Sequence, residues 1–291
     1  MRGPPTWGFL VLLAACDARI SGGNPELTDA GPGMLGPWLA PTKVSLAALS
    51  TRAEDDVTLS SNMLEMIFAV DDPNGNGKDL YYSSRTSKTM PWPTPSLLSF
   101  NNMNESDETP RFSADDKVLY FASGRGGNGT LDIYSVTHAS PDATTWGTPT
   151  ALTSVNTTGQ VEKWYMPCGT TQYIMVQSNN GNGTDLVEGT LNAGAPSLLT
   201  KLNSAQNETG TFLTSDCLTI YFASARLPST MIYTSHRNTL GGAWSDPVPV
   251  IDFAIPGGNG NQEDPWMSAD GSTFMFASDA AGTKDIYIST R

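Results

Sequence analysis

The side chains with the greatest chemical potential in this sequence are carboxylates that return at regular intervals. Asp55, Glu108, Glu162, Glu208 and Glu263 each stand at the start of a short apolar segment, with roughly fifty residues between successive copies. Brought around one axis, they would form an acidic ring at the mouth of a channel. Such a ring would draw a hard cation that prefers oxygen ligands, or a positively charged group on a partner. The same groups could also serve glycoside hydrolysis, which uses one carboxyl as acid and another as base or nucleophile. That chemistry needs carboxylates in unequal surroundings, whereas repetition by itself supplies equivalent ones. A structural role competes with both: each carboxylate would accept backbone N–H bonds and fix the start of its strand.

Other candidates are weaker. Asp72, Asn74 and Asn76, followed by Gly77, resemble the first half of a calcium loop, but Ser83 stands where a bidentate Glu would complete it. A tight hairpin accounts for the same residues. Two further Asn/Gly-rich turns, 126–130 and 179–185, would share a face with it and form a polar binding surface. His138 and His236 are the only histidines, on segments that read as surface, so a histidine-rich zinc site is excluded. No nucleophile motif accompanies them. Cys168 and Cys217 fall near the turns that follow the inner strands of adjacent repeats. An oxidising compartment would permit a disulfide between them, provided those turns approach to bridging distance.

The elements that position these residues follow from three repeated markers. The first is an apolar strand ending in small or polar residues, as at Ile67-Phe68-Ala69, Tyr120–Ser123, Met175–Ser178, Tyr221–Ser224 and Met275–Ser278. The second comes about ten residues later: Asp79-Leu80-Tyr81, Asp132-Ile133-Tyr134, Asp185-Leu186-Val187, Ile232-Tyr233 and Asp285-Ile286-Tyr287. The third pairs a Trp with a Pro three residues on, at Trp38/Pro41, Trp92/Pro95, Trp146/Pro149 and Trp244/Pro247, with Ala193/Pro196 as the fifth copy. One four-stranded propeller blade fits this period, so the expectation is an all-β, five-bladed β-propeller of antiparallel blades. The third marker appears before any first marker, and the chain ends just after a second. Residues 38–50 are therefore expected to supply the outer strand of the last blade and close the ring. The repeated Trp is expected to pack between blades rather than form a carbohydrate platform.

Within that frame, Glu108–Asp116 (ETPRFSADD), Phe121–Gly127 (FASGRGG), Asp132-Ile133-Tyr134, Glu263–Gly271 (EDPWMSADG), Phe276–Asp279 (FASD) and Asp285-Ile286-Tyr287 resemble the TolB-like family of WD40-like propeller repeats found in bacterial envelope proteins. The resemblance spans residues 38–291, closely in two blades and loosely in the rest. It implies a periplasmic interaction domain and leaves the ligand open.

At the N-terminus, Arg2 precedes the apolar run Trp7–Ala15, too short to span a bilayer, and Leu13-Ala14-Ala15-Cys16 resembles a bacterial lipobox. Residues 1–15 read as a lipoprotein signal peptide, Cys16 as the acylated residue, 16–37 as a disordered tether, and 38–291 as the propeller. The expected location is the cell envelope, periplasmic or surface-exposed, with membrane attachment through the lipid. Lys and Arg number 16 against 29 Asp and Glu, a net charge of −13 that excludes nucleic acid as a partner. The expected function is that of a monomeric binding or scaffolding module for an envelope protein or a glycan, without a cofactor, calcium at Asp72, Asn74 and Asn76 being the alternative. A glycoside hydrolase using the axial carboxylates is the alternative.

Overall fold

The computed structural model describes residues 35–46, 51–139, 145–178, 183–253, 255, 258 and 260–291. Cys16, the 1–15 segment, nearly all of the 16–37 tether and the tip of the 179–185 turn lie outside the described residues. Twenty strands form five antiparallel sheets of four. Blade 1 comprises Glu54–Leu59, Glu65–Asp71, Lys78–Ser84 and Ser96–Leu97, from the axis outward. The inner strands of blades 2, 3 and 4 are Asp107–Phe112, Glu162–Cys168 and Glu208–Leu213. Blade 5 is composite: Gln262–Met267, Thr273–Ser278 and Asp285–Thr290 are completed on the outside by Thr42–Lys43. The chain is thus a five-bladed β-propeller closed by its N-terminal strand.

Side chains alternate between the two faces of a strand, so each second strand serves two blade interfaces at once. In blade 1, Met66, Phe68 and Val70 join the cluster shared with blade 5, while Ile67 and Ala69 join the one shared with blade 2. In blade 5, Phe274 and Phe276 face blade 4 and Met275 faces blade 1. Five such clusters, one per interface, make up the core.

The Trp of the third marker is part of this packing. Arg85 lies 4.1 Å over the Trp92 ring, Arg237 4.5 Å over Trp244 and Arg291 4.2 Å over Trp38. His138 takes the same place in blade 2, stacked on Trp146 at 4.3 Å. It is therefore buried rather than on the surface, with Nδ1 at 3.0 Å from the Asp116 carbonyl and Nε2 at 3.3 Å from Glu65. Its ring packs against Trp146 and Phe112, contacts that sequence position alone does not reveal. Cys168 and Cys217 are joined by a disulfide with Cα atoms 5.8 Å apart, tying blade 3 to blade 4. Cys168 ends its strand while Cys217 lies in the turn beyond Leu213, so the bridge joins non-equivalent positions of the two blades whose Cα atoms approach to bridging distance.

Candidate functional site: an axial funnel of paired charges

Each inner strand carries one extra residue relative to its neighbour. The pairing register slips after Asp55, Glu108, Lys163, Thr209 and Glu263. The next residue in every case has a positive φ: Asp56 at 55°, Thr109 at 53°, Trp164 at 48°, Gly210 at 48° and Asp264 at 55°. A non-glycine residue in this region is uncommon, and for Thr or Trp it is strained. Bulges of this kind re-aim side chains. Here they bring the bulge residues of all five blades together, and Asp56, Trp164 and Asp264 line a cavity of about 360 Å³.

The sequence-predicted carboxylates divide between two registers. Asp55, Glu108 and Glu263 hold the position just before the bulge and line the cavity. Glu162 and Glu208 sit one residue earlier, in register with Glu54, Asp107 and Gln262, outside the cavity lining. There they fix the incoming loop. Glu162 accepts bonds from the Thr157 amide at 3.1 Å and Gln177 at 2.9 Å, and burial pushes its pKa up to about 7. Glu208 accepts from the Ser204 hydroxyl and amide, Ser224 and Arg226. In blades 3 and 4 the pre-bulge position holds Lys163 and Thr209 instead.

Three lysines thread between the funnel carboxylates. Lys78 and Lys284 occupy matching positions in the third strand of blade 1 and just before that of blade 5. Lys78 is paired with Asp55 and lies 3.9 Å from Asp56. Lys284 bonds Glu263 at 2.6 Å and reaches across the blade interface to Asp55 at 3.5 Å. Lys163 crosses from blade 3 to Glu108 of blade 2 at 2.9 Å. Although burial opposes it, the neighbouring carboxylates raise the pKa of Lys78 and Lys284, so both remain charged.

The floor of the funnel is a closed set of contacts among bulge residues. The indole Nε1 of Trp164 donates to Asp56 at 2.8 Å and to Asp264 at 3.1 Å. The Thr109 amide donates to Asp56, and the Thr109 hydroxyl accepts from the Trp164 amide. Gly210 has no alternative: a Cβ there would lie 2.5 Å from the Asp264 amide nitrogen. Arg111, 2 % exposed, runs beneath and donates to the carbonyls of Val57 and Pro110. Asp55, Asp56 and Asp264 present oxygens all within 4.8 Å of one another. Burial, then Asp56, Asp55 and Glu263, holds Asp264 well above the usual carboxylate range. Burial acts against Asp56 too, but Lys78, Arg111 and a hydrogen bond with Asp264 bring it below that range. A hydrogen bond links the two carboxyls, with Asp264 shifted upward and Asp56 downward. Burial and Asp56 push Asp55 up to about 7 against the pull of Lys78 and Lys284.

The bulge aspartates and the lysines were not picked out by the sequence reading. The signals were the adjacent acidic runs Glu54-Asp55-Asp56 and Glu263-Asp264, and the Lys that precedes the second marker in two blades, Lys78-Asp79 and Lys284-Asp285. Asp72 lies outside the cavity lining: its carboxylate accepts from the Asn74 amide and side chain and from the Asn76 amide, locking the hairpin.

No family model and no curated protein sequence matches the chain. Solved structures with the same fold do. The catalytic domain of a GH62 α-L-arabinofuranosidase from Coprinopsis cinerea aligns at 10% identity over 88% of this chain and 97% of its own, TM-score 0.55. An endo-arabinase from Bacteroides thetaiotaomicron gives 11% identity, 88% and 98% coverage and TM-score 0.55. A putative TolB from Agrobacterium tumefaciens gives 14% identity, 88% and 85% coverage and TM-score 0.53. At these identities the likeness is one of fold.

Proposed function

We propose that this chain is a cell-envelope binding module, lipid-anchored through Cys16, that takes a small polar ligand in the axial funnel. The observation that carries the reading is the repeated bulge, which directs residues from every blade at one cavity and holds them in strained backbone. A purely structural ring has no need of that strain. The volume of about 360 Å³ falls at the small end of the range for small-molecule sites.

Hydrolysis is the second reading, favoured by one feature: Asp264 and Asp56 have proton affinities driven apart, as an acid and its conjugate partner require. Similar structures with hydrolase names lend it the fold. Against it, the oxygens of Asp55, Asp56 and Asp264 crowd within 4.8 Å, whereas glycosidases hold their two carboxyl groups about 5–9.5 Å apart.

The test is a thermal-shift screen of the purified protein against sugars, amines and short peptides, together with turnover assays on chromogenic glycosides. Binding lost in Glu108→Gln and Glu263→Gln but kept in Glu208→Gln supports the module. Binding lost equally in all three, or absent from the wild type, refutes it. Turnover abolished by Asp264→Asn would replace it with the hydrolase.

A further inference from the structure

The acidic ring expected from sequence would call for a cationic ligand, but the assembled funnel is interlaced with lysines. Lys78, Lys163 and Lys284 line it and each is already ion-paired: Lys78 with Asp55 and Asp56, Lys284 with Glu263 and Asp55, Lys163 with Glu108. Asp71 and Asp264 complete the ionisable lining, and Arg111 runs beneath it. A charged ligand would have to break these pairs in a site where burial already works against charge.

The groups also alternate in kind. Along blades 5 and 1 the order is Glu263, Lys284, Asp55, Lys78, and across blades 2 and 3 it is Glu108, Lys163. Ammonium groups only donate hydrogen bonds and carboxylates only accept them. A hydroxyl does both, so a row of hydroxyls can bridge adjacent members of such a series without disturbing their charges. Asp55 adds a second pointer. Its Oδ1 is buried and accepts no hydrogen bond from the protein, although the residue is 2 % exposed and lines the cavity. Blade 4 contributes only Thr209 to the lining, an uncharged wall for the C–H surface of a ring.

Resting on the reading of the funnel as a ligand site, we infer that its ligand is a neutral, hydroxyl-rich molecule, a sugar residue bearing neither a carboxylate nor an amine. The experiment is a glycan array carrying neutral, uronate and amino-sugar panels. Calorimetry follows on the best sugar beside its own uronate and amino counterparts (glucose, glucuronate and glucosamine form one such set), at low and high salt. The expected result is a neutral hit at least tenfold tighter than either charged counterpart, with an affinity insensitive to salt and lost in Lys163→Met and in Glu263→Gln. A tighter uronate or amino sugar, lost in the same variants, would overturn the neutral class and keep the funnel as the site. No hit in any panel, or a hit indifferent to both variants, would overturn the site itself. Circular dichroism and melting of each variant separate lost binding from lost fold.

Discussion

Replacing Trp164 by Phe removes the single donor that ties Asp56 of blade 1 and Asp264 of blade 5 to blade 3. The indole nitrogen sits 2.8 and 3.1 Å from the two carboxyls, and the residue is 7 % exposed. Hydrogen bonds to charged groups contribute about 1.5–3 kcal/mol, and a buried acceptor left without its donor adds to the loss. Trp244 supplies the control. It is 6 % exposed and its indole nitrogen makes no hydrogen bond, so Trp244→Phe loses ring volume and part of the Arg237 contact but no indole bond. Guanidinium unfolding should therefore show Trp164→Phe less stable than Trp244→Phe by about 2 kcal/mol. In a domain of this size that is a difference in Tm of roughly 4–8 °C. Equal losses in the two variants would show that the indole bond does not hold the floor together.

The Cys168–Cys217 bridge closes a separation of 49 residues, so its reduction, or Cys168→Ser with Cys217→Ser, should cost about 4 kcal/mol on the chain-entropy account; a loss below about 1 kcal/mol would discount the bridge as a stabiliser. Alkaline pH should weaken the interface between blades 5 and 1. Burial, then Asp285, with Lys43 opposing, pushes Glu54 up to about 8, and Asp55 stands at about 7. Groups whose folded pKa is raised bind more protons folded than unfolded, so their contribution is complete below about pH 4 and is lost as pH climbs through 7 to 8. Tm should fall between about pH 5 and pH 9, less steeply in Glu54→Gln, and a flat or rising profile would refute the assignment. In cells, Cys16→Ala should release the protein from the membrane fraction and abolish incorporation of labelled palmitate; unchanged fractionation would remove the anchor.

The ring was legible in the sequence because its signals are patterns of period two punctuated by turns. The five apolar second strands and the Asp-x-Tyr marker specify how many blades there are, and the early Trp38/Pro41 specifies how they close. The funnel was not legible because its geometry depends on a one-residue offset. Shifting a strand position by one turns its side chain to the other face. Glu162 and Glu208 look equivalent to Glu108 and Glu263 when aligned by charge, yet they stand one residue earlier and bond outward to their own loops. No hydrophobic pattern marks a bulge, and neither Thr109 nor Trp164 has the composition of a left-handed position. The lysines were hidden for a related reason: a net charge of −13 describes the surface as a whole and says nothing of where sixteen cations gather.

The closing strand also decides how the ring meets mechanical load. Thr42–Lys43 lies on the outside of blade 5, held by its pairing with Tyr287 and Ile288, by backbone bonds from Leu39 to Thr290 and from Val44 to Ile286, and by the Lys43–Asp285 ion pair. Tension applied to the chain ahead of residue 38 arrives first at these few contacts, on the rim farthest from the axis. Trp38, Val44 and Leu46 on the same segment pack into the core beside blades 4, 5 and 1, so parting this strand exposes apolar surface as well as breaking its hydrogen bonds.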